Sequence, residues 1–291
     1  MLSILIPSYN YDVLPLVKNL QEQATKVGIV FEILVFDDAS QNHFNNSRIN
    51  ELESCSFTVL DQNRGRSAIR NLLVSKAKYE WLLFLDADVM PFSENFIAHY
   101  VQQIKSSGSF CFSGGIVYEK DKPARNKMLR WKYGHQRETI SFEERIKGKV
   151  HNTIVNTLFH KSIFEKVRFN ETIKSYGYED VIFITEVLHY YPIQAIDNPV
   201  FHLDDNTSTE FLIKTKSALK NLHFLIINNQ IDIHKIKIAK VYIGLKKYNL
   251  HILMKIFYRL FYKPMEKQLK SSNPSIFLFD IYRLGYLCTL Q

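Results

Sequence analysis

Short apolar runs alternate with helix-spaced stretches along the first ninety residues. The first run, residues 2–6, stops at Pro7-Ser8-Tyr9-Asn10, and residues 14–26 then place Leu16, Leu20 and Ala24 at helical spacing. An apolar run of this length bounded by turn residues predicts a strand buried on both faces, while the helical period predicts a helix packed against it. The same reading gives strands over 31–36, 56–60 and 81–85, a short helix over 47–52, and a helix over 65–76 with Ile69, Leu72 and Leu73 turned inward. Strands and helices alternating at this spacing predict a doubly wound, mostly parallel α/β sheet flanked by helices.

Beyond residue 90 the pattern loosens. A helix is expected over 93–104, with Ser93 as its N-cap and Glu94 in the first turn. Residues 111–118 read as one strand, in which Gly114-Gly115 would let the backbone come close to a ligand. Residues 119–150 are strongly charged and have no clean period, which fits either a solvated helical pair or a mobile insertion. A strand within 150–159, a short helix over 162–167, a helix over 181–190 and a last strand over 193–202 complete an expected catalytic domain of residues 1–205. Residues 206–291 are expected to form a helical C-terminal region. There Leu250, Leu253, Met254, Phe257, Leu260 and Phe261 recur at helical spacing, while His251, Lys255, Arg259 and Lys263 run at i+4 steps along another face.

Charge sharpens that division. The formal net charge is +8, yet residues 206–291 hold 14 Lys/Arg against 4 Asp/Glu, so the basic character belongs to the C-terminal region. A basic amphipathic helix with Tyr258 and Tyr262 beside it, and further apolar segments at 276–279 and 282–287, is expected to rest on an anionic membrane surface. No Arg/Lys-rich tract or known motif points to nucleic acid, and no nucleic-acid partner is expected. The three cysteines, Cys55, Cys111 and Cys288, are far apart, without zinc spacing, and fit a reducing compartment. The chain opens on its first strand without a leader-like pattern, and no uncharged apolar run approaches the roughly 20 residues of a membrane span. The expected location is cytoplasmic, peripheral at the inner face of the cell membrane.

Candidate chemistry sits at strand ends. In a doubly wound sheet ligands collect outside the carboxyl ends of the strands, and three of these ends carry polar signatures: residues 7–10, 37–40 and 86–88. If strand geometry persists to residue 88, Asp86 and Asp88 face the same way, and two such carboxylates repel unless a cation lies between them. Hard divalent ions accept these oxygen ligands and complete their shell with water and a substrate diphosphate. Glu179-Asp180 opens a helix, where acids also serve as ordinary caps. His202 ends the last strand, a position as readily structural as ligating. Neither Gly-x-Gly-x-x-Gly nor Gly-x-x-x-x-Gly-Lys-Ser/Thr occurs, which counts against dinucleotide and P-loop sites.

Taken in order, Ser3-Ile4-Leu5-Ile6-Pro7-Ser8-Tyr9-Asn10, Val35-Phe36-Asp37-Asp38-Ala39-Ser40, Asn63-Arg64-Gly65-Arg66-Ser67-Ala68-Ile69-Arg70-Asn71, Phe84-Leu85-Asp86-Ala87-Asp88 and Gly177-Tyr178-Glu179-Asp180 resemble the family-two inverting glycosyltransferases of the GT-A fold. The resemblance covers about residues 1–205. It implies transfer of a hexosyl or N-acetylhexosaminyl group from a nucleoside-diphosphate sugar, with a UDP-sugar favoured, to a hydroxyl of a glycan or polyprenyl-diphosphate-linked acceptor in surface polysaccharide or glycoconjugate synthesis. By the same resemblance Pro7 and Tyr9 line the base and ribose pocket, and Asp38, with Asp37 beside it, accepts from the imide N–H of uracil. Asn63, Arg66, Arg70, Asp86 and Ala87 complete the nucleotide-contacting set, either arginine reaching the base or the diphosphate. Asp88, Asp86 and His202 are implied to hold Mn²⁺ or Mg²⁺. Asp180 is the implied general base, with Glu179 positioning the acceptor or the helix.

Two other readings share parts of the pattern. Residues 82–89 also resemble the opening of haloacid-dehalogenase-type phosphotransferases, in which the first Asp is a nucleophile, although a companion Thr/Ser strand and Lys are missing. A non-catalytic sugar-nucleotide or membrane-surface binding protein would keep the motifs without turnover, but nothing of the catalytic set is absent here.

Overall fold

The computed structural model describes residues 1–42, 44–150, 153–173 and 176–290; Ser175 of the tyrosine-rich stretch before Glu179 lies outside them. The chain divides into two compact units. Met1–Tyr118, Arg137–Lys174 and Glu179–Asp204 form an α/β unit, and Glu119–Gln136, Ser175–Tyr178 and Asp205–Gln291 form a helical one. The helical unit thus takes in two segments from within the stretch where sequence alone suggests one continuous domain.

The strands are β1 (Leu2–Ser8), β2 (Phe31–Asp37), β3 (Cys55–Val59), β4 (Trp81–Phe84), β5 (Val89–Pro91), β6 (Cys111–Ser113), β7 (Ile116–Val117), β8 (Thr157–His160), β9 (Gln194–Ala195) and β10 (Val200–His202). Among the described residues they make a seven-stranded sheet in the order β3-β2-β1-β4-β8-β6-β9 and a three-stranded sheet in the order β5-β10-β7. The first four strands run parallel, and β8 is antiparallel to both β4 and β6. A parallel strand covered on both faces needs a continuous apolar run, and β2 is buried at every position. One face packs on helices Leu14–Val27 and Phe96–Ser106, through Leu16, Leu20, Ile97 and Val101; the other packs on Arg66–Lys76 and Glu179–Tyr190, through Ile69, Leu73, Phe183 and Val187. The helix Leu14–Val27 stops at Gly28, whose positive φ of 69° lets its N–H reach back to Ala24 and Thr25.

Several sequence expectations are corrected. The helix placed at 93–104 begins at Phe96 behind Asn95; Ser93 instead accepts the Asn95 N–H, so the cap expected at Ser93 belongs to the preceding turn. The single strand expected over 111–118 is two, β6 and β7, which join different sheets and are separated by Gly114-Gly115. These glycines face protein: a Cβ on Gly114 would lie 2.4 Å from both Asn156 Nδ2 and the Asn198 carbonyl, and one on Gly115 would lie 2.7 Å from Arg145. Residues 193–202 split likewise into β9 and β10. The charged stretch 119–150 is mostly short helices, including Met128–Tyr133 and Phe142–Ile146.

The helical unit is built on Ser208–Ile227, Lys237–Lys247, His251–Leu269 and Ile276–Leu287. Its core comprises Leu129, Leu212, Tyr258, Met265, Leu269, Ile276, Phe279 and Tyr282. The apolar segments at 276–279 and 282–287, expected at a membrane, therefore contribute to this core, and Tyr258 is buried as well. Among the described residues no helix is long and apolar enough to cross a membrane.

Candidate active site

Hydrogen bonds tie the carboxyl ends of β1, β2 and β4 together. Ser8 pairs with Asp37 at the end of the β1–β2 ladder, and the Asp38 N–H donates to the Ser8 carbonyl at 2.9 Å. Asp37 accepts from the Ser40 N–H and hydroxyl at 2.7 and 2.6 Å, and the Ser40 hydroxyl accepts from the Asn10 N–H. Asp37 thus ties a turn, which leaves its neighbour to face the rim. The Asp38 carboxylate accepts the N–H groups of Arg64 and Gly65 at 2.7 and 2.9 Å, and Asn63 donates to the Asp38 carbonyl. Gly65 takes φ of 82° just ahead of the helix Arg66–Lys76, a conformation that a side chain would strain. Pro7 is half-buried in β1 and Tyr9 is 49% exposed, its ring available for stacking.

The centre of the rim is a buried cluster of charges. Arg70, one turn into its helix and essentially without solvent contact, donates to Asp180 Oδ1 at 2.7 Å and to Asp86 Oδ1 at 3.1 Å. Its Nη1 also lies 3.7 Å from Glu179 Oε1, which Arg66 approaches at 3.5 Å from a half-exposed position. Two cations from one helix therefore face three carboxylates, two at the start of another helix and one at a strand end. Thr153 donates its hydroxyl to Asp180 Oδ2 at 3.1 Å, a partner the sequence reading does not single out. Burial pushes the Asp180 carboxyl up, Glu179 and Asp86 add to this, and Arg70 opposes it, leaving the group at about 6. Asp86 moves the other way: burial alone would raise it, but Arg70, Arg66 and His202 together hold it below the ordinary carboxylate range.

Asp86 and Asp88 do not share one strand face. The ladder ends where the Leu85 N–H meets the Leu5 carbonyl, and the chain then turns through Ala87 and Asp88 into β5 of the other sheet. Asp86 faces Arg70, while Asp88 faces His202, whose Nε2 lies 3.9 Å from Asp88 Oδ1. The β5–β10 pairing sets His202 opposite Val89, and the Leu203 N–H donates to the Asp88 carbonyl at 2.7 Å. Tyr118 covers the imidazole at a centroid distance of 5.5 Å. Burial raises the Asp88 carboxyl, against the pull of His202.

Among the described residues no three His, Cys, Asp or Glu side chains converge as a metal group. The Asp88–His202 pair still fits a divalent ion that draws its other ligands from diphosphate and water, since it offers a carboxylate oxygen and an imidazole Nε2 3.9 Å apart on one rim. Asp86, engaged by Arg70, is not a third ligand in this arrangement. Other buried side-chain atoms without partners fall on the same rim: Ser8 Oγ, Ser67 Oγ, Arg70 Nε and Glu179 Oε2. Each such group costs about 1–3 kcal/mol, so their concentration here marks a surface completed by a polar ligand.

Residues 3–168 match the family model described as glycosyl transferase family 2; the match stops short of Glu179, Asp180 and His202. An uncharacterized glycosyltransferase of Haemophilus influenzae is 36% identical over 94 residues, covering 30% of this chain and 29% of that relative. The mannosyltransferase PcManGT from Pyrobaculum calidifontis, solved in complex with GDP-Man and Mn²⁺, aligns over 77% of this chain and 64% of its own, with a TM-score of 0.53 and 14% identity, a likeness of fold. The S. aureus TarS 1-349 structure in complex with UDP-GlcNAc aligns over 76% of this chain and 66% of its own, with a TM-score of 0.49 and 18% identity. The chain thus spans just under two thirds of these solved chains and under a third of the curated relative. Its α/β unit has the GT-A architecture, which removes the ground for the phosphotransferase alternative. With more than half of its length matched, the chain belongs to glycosyl transferase family 2.

Proposed function

We propose that the enzyme moves a hexosyl or N-acetylhexosaminyl group, with inversion, from a nucleoside-diphosphate sugar to a hydroxyl of a glycan or polyprenyl-diphosphate-linked acceptor in surface polysaccharide or glycoconjugate synthesis. The observation that carries this reading is Asp180, a buried carboxylate at about 6, held at the strand-end rim by the arginine that also holds Asp86. A general base works best when its pKa lies near the operating pH, and this one does. Glu179 is almost fully enclosed between Arg66 and Arg70, which suits a positioning role rather than proton transfer.

In the proposed reaction Tyr9 stacks on the nucleobase, and the Asp38 carboxylate, oriented by two backbone N–H groups, accepts from a base N–H; a uracil imide fits, so a UDP-sugar is favoured. Asp180 takes the proton of the acceptor hydroxyl as its oxygen attacks the anomeric carbon, and the nucleoside diphosphate leaves from the opposite face. Arg66, the more exposed of the two arginines, faces the developing diphosphate charge. Asp88 and His202 would hold Mn²⁺ or Mg²⁺, which when bound supplies charge stabilisation to the leaving diphosphate. The enzyme is read as cytoplasmic, peripheral at the inner face of the cell membrane. A panel of nucleotide sugars, scored by thermal shift and by hydrolysis with and without Mn²⁺, tests the donor. Absence of any shift or turnover across the panel would defeat the reading, as would a product that keeps the donor's anomeric configuration.

A further inference from the structure

The helix His251–Leu269 carries two apolar faces. One is buried within the helical unit through Tyr258, Met265 and Leu269. There Tyr258 meets Tyr282 and Tyr286 at centroid distances of 5.3 and 5.9 Å, and Gly285 leaves the space its ring needs, since a Cβ would come within 2.9 Å. The other face looks into solvent: Ile252, Leu253, Ile256, Phe257, Leu260 and Phe261 are between 41% and 69% exposed. At about 100° per residue these six fall on one half of the helix surface, away from the buried stripe. Phe257 and Phe261 touch each other, with centroids 4.9 Å apart, and Leu250 extends the patch at the helix start.

Single exposed apolar side chains are ordinary, but six on one arc of one helix form a contiguous patch of the kind that marks an interaction surface. Charge decides what covers it. Lys255, Arg259 and Lys263, at i+4 spacing, line one edge of the arc between the exposed and buried faces. The acid on this helix, Glu266, is committed inside the unit to Lys216, Lys270 and Tyr282. A second copy of the same face would bring two cationic rows to one seam with no acid on the helix to answer them. A surface that is apolar inside and anionic at its boundary satisfies both the arc and the row.

We propose that this outward face, Ile252 to Phe261 with the Lys255–Arg259–Lys263 edge, is a docking surface for an anionic lipid bilayer, with the helix lying in the interface. The surface deepens the proposed function and rests on it only for its purpose, which is to bring the enzyme to a lipid-borne acceptor; docking itself requires no sugar chemistry. Because these side chains do not enter the core, they can be changed without unfolding the unit.

The test is sedimentation of the full chain with vesicles of phosphatidylcholine alone or mixed with phosphatidylglycerol, without nucleotide, at low and high salt. The chain should sediment with anionic vesicles and be released by salt. Lys255→Gln/Arg259→Gln/Lys263→Gln should weaken binding about a hundredfold, at roughly a factor of five per cation. Leu253→Ser/Phe257→Ser/Leu260→Ser should abolish it, and both variants should hydrolyse donor as the parent chain does. Equal binding by the apolar variant and the parent chain overturns the proposal, as does failure to bind anionic vesicles at low salt. A dimer lost in the apolar variant, without vesicle binding, would assign the face to a protein contact. Intact vesicle binding with no donor turnover would instead fail the glycosyl-transfer reading and leave the surface standing.

Discussion

Asp180 has a double cost and use that its substitution should separate. As a base it must be ionised, so kcat should fall as pH drops through about 6 and level off above it, measured at saturating donor. For stability the sign is opposite. A carboxyl whose folded-state value lies above its unfolded one favours the fold when protonated, and that stability is lost as pH rises from about 4 through about 6. Asp180→Asn should therefore lose roughly 10²- to 10⁴-fold in kcat with donor affinity kept, while its melting temperature gains on the wild type as pH rises from about 4 to about 6 and keeps that gain above. A flat Tm difference across that range would show that burial does not set this group. Asp88→Ala and His202→Ala should each weaken Mn²⁺ dependence, read as the metal concentration for half-maximal turnover, whereas Asp86→Asn should act mainly on Arg70. Full activity of all three in chelator would remove the metal from the reading.

At the scale of elements, β1, β2 and β4 are legible in the sequence because burial on both faces demands near-continuous apolar runs, while the edge strand β3 is read from its Phe57 and Val59 alone and is half exposed. Later strands are less legible. Residues 111–118 and 193–202 each look like one strand, and nothing in a local period tells that a chain changes sheets midway. The change at Gly114 is forced by crowding from Asn156 and Asn198 across the fold. Gly114→Ala should accordingly destabilise the α/β unit by about 3 kcal/mol in denaturant unfolding, without moving the donor site. An unchanged midpoint would mean that the two sheets part more easily than their contacts suggest. The site shows the same divide. The turns at Asp38 and Asp86 announce themselves as polar ends of apolar runs, but the Arg70 cluster joins residues as far apart as 70 and 180, and Thr153 joins it from the approach to β8, where the sequence suggests a strand and no site residue. In His251–Leu269 the period finds an apolar face but cannot say that there are two, nor which one the unit keeps.

At the scale of the molecule, the two units are not two consecutive pieces of sequence. Residues 119–136 and 176–178 leave the α/β unit for the helical one, and the chain returns to the α/β unit at Glu179. The return is anchored. The Gly177 carbonyl accepts from Asn221, a Cβ there would lie 2.7 Å from Ala218, and Tyr178, at φ of 73°, hydrogen-bonds Arg283. Asn221→Ala and Arg283→Met should lower kcat by about tenfold while leaving the donor-induced thermal shift intact. Equal kcat in both variants would leave the anchor without a part in turnover. For anyone dividing this protein by its family match, the anchor gives a practical warning. A fragment ending near residue 206 keeps the side chains proposed to face the donor but discards the mooring of the two residues that precede the acid-bearing helix. Such a fragment should report faithfully on nucleotide recognition and misleadingly on transfer.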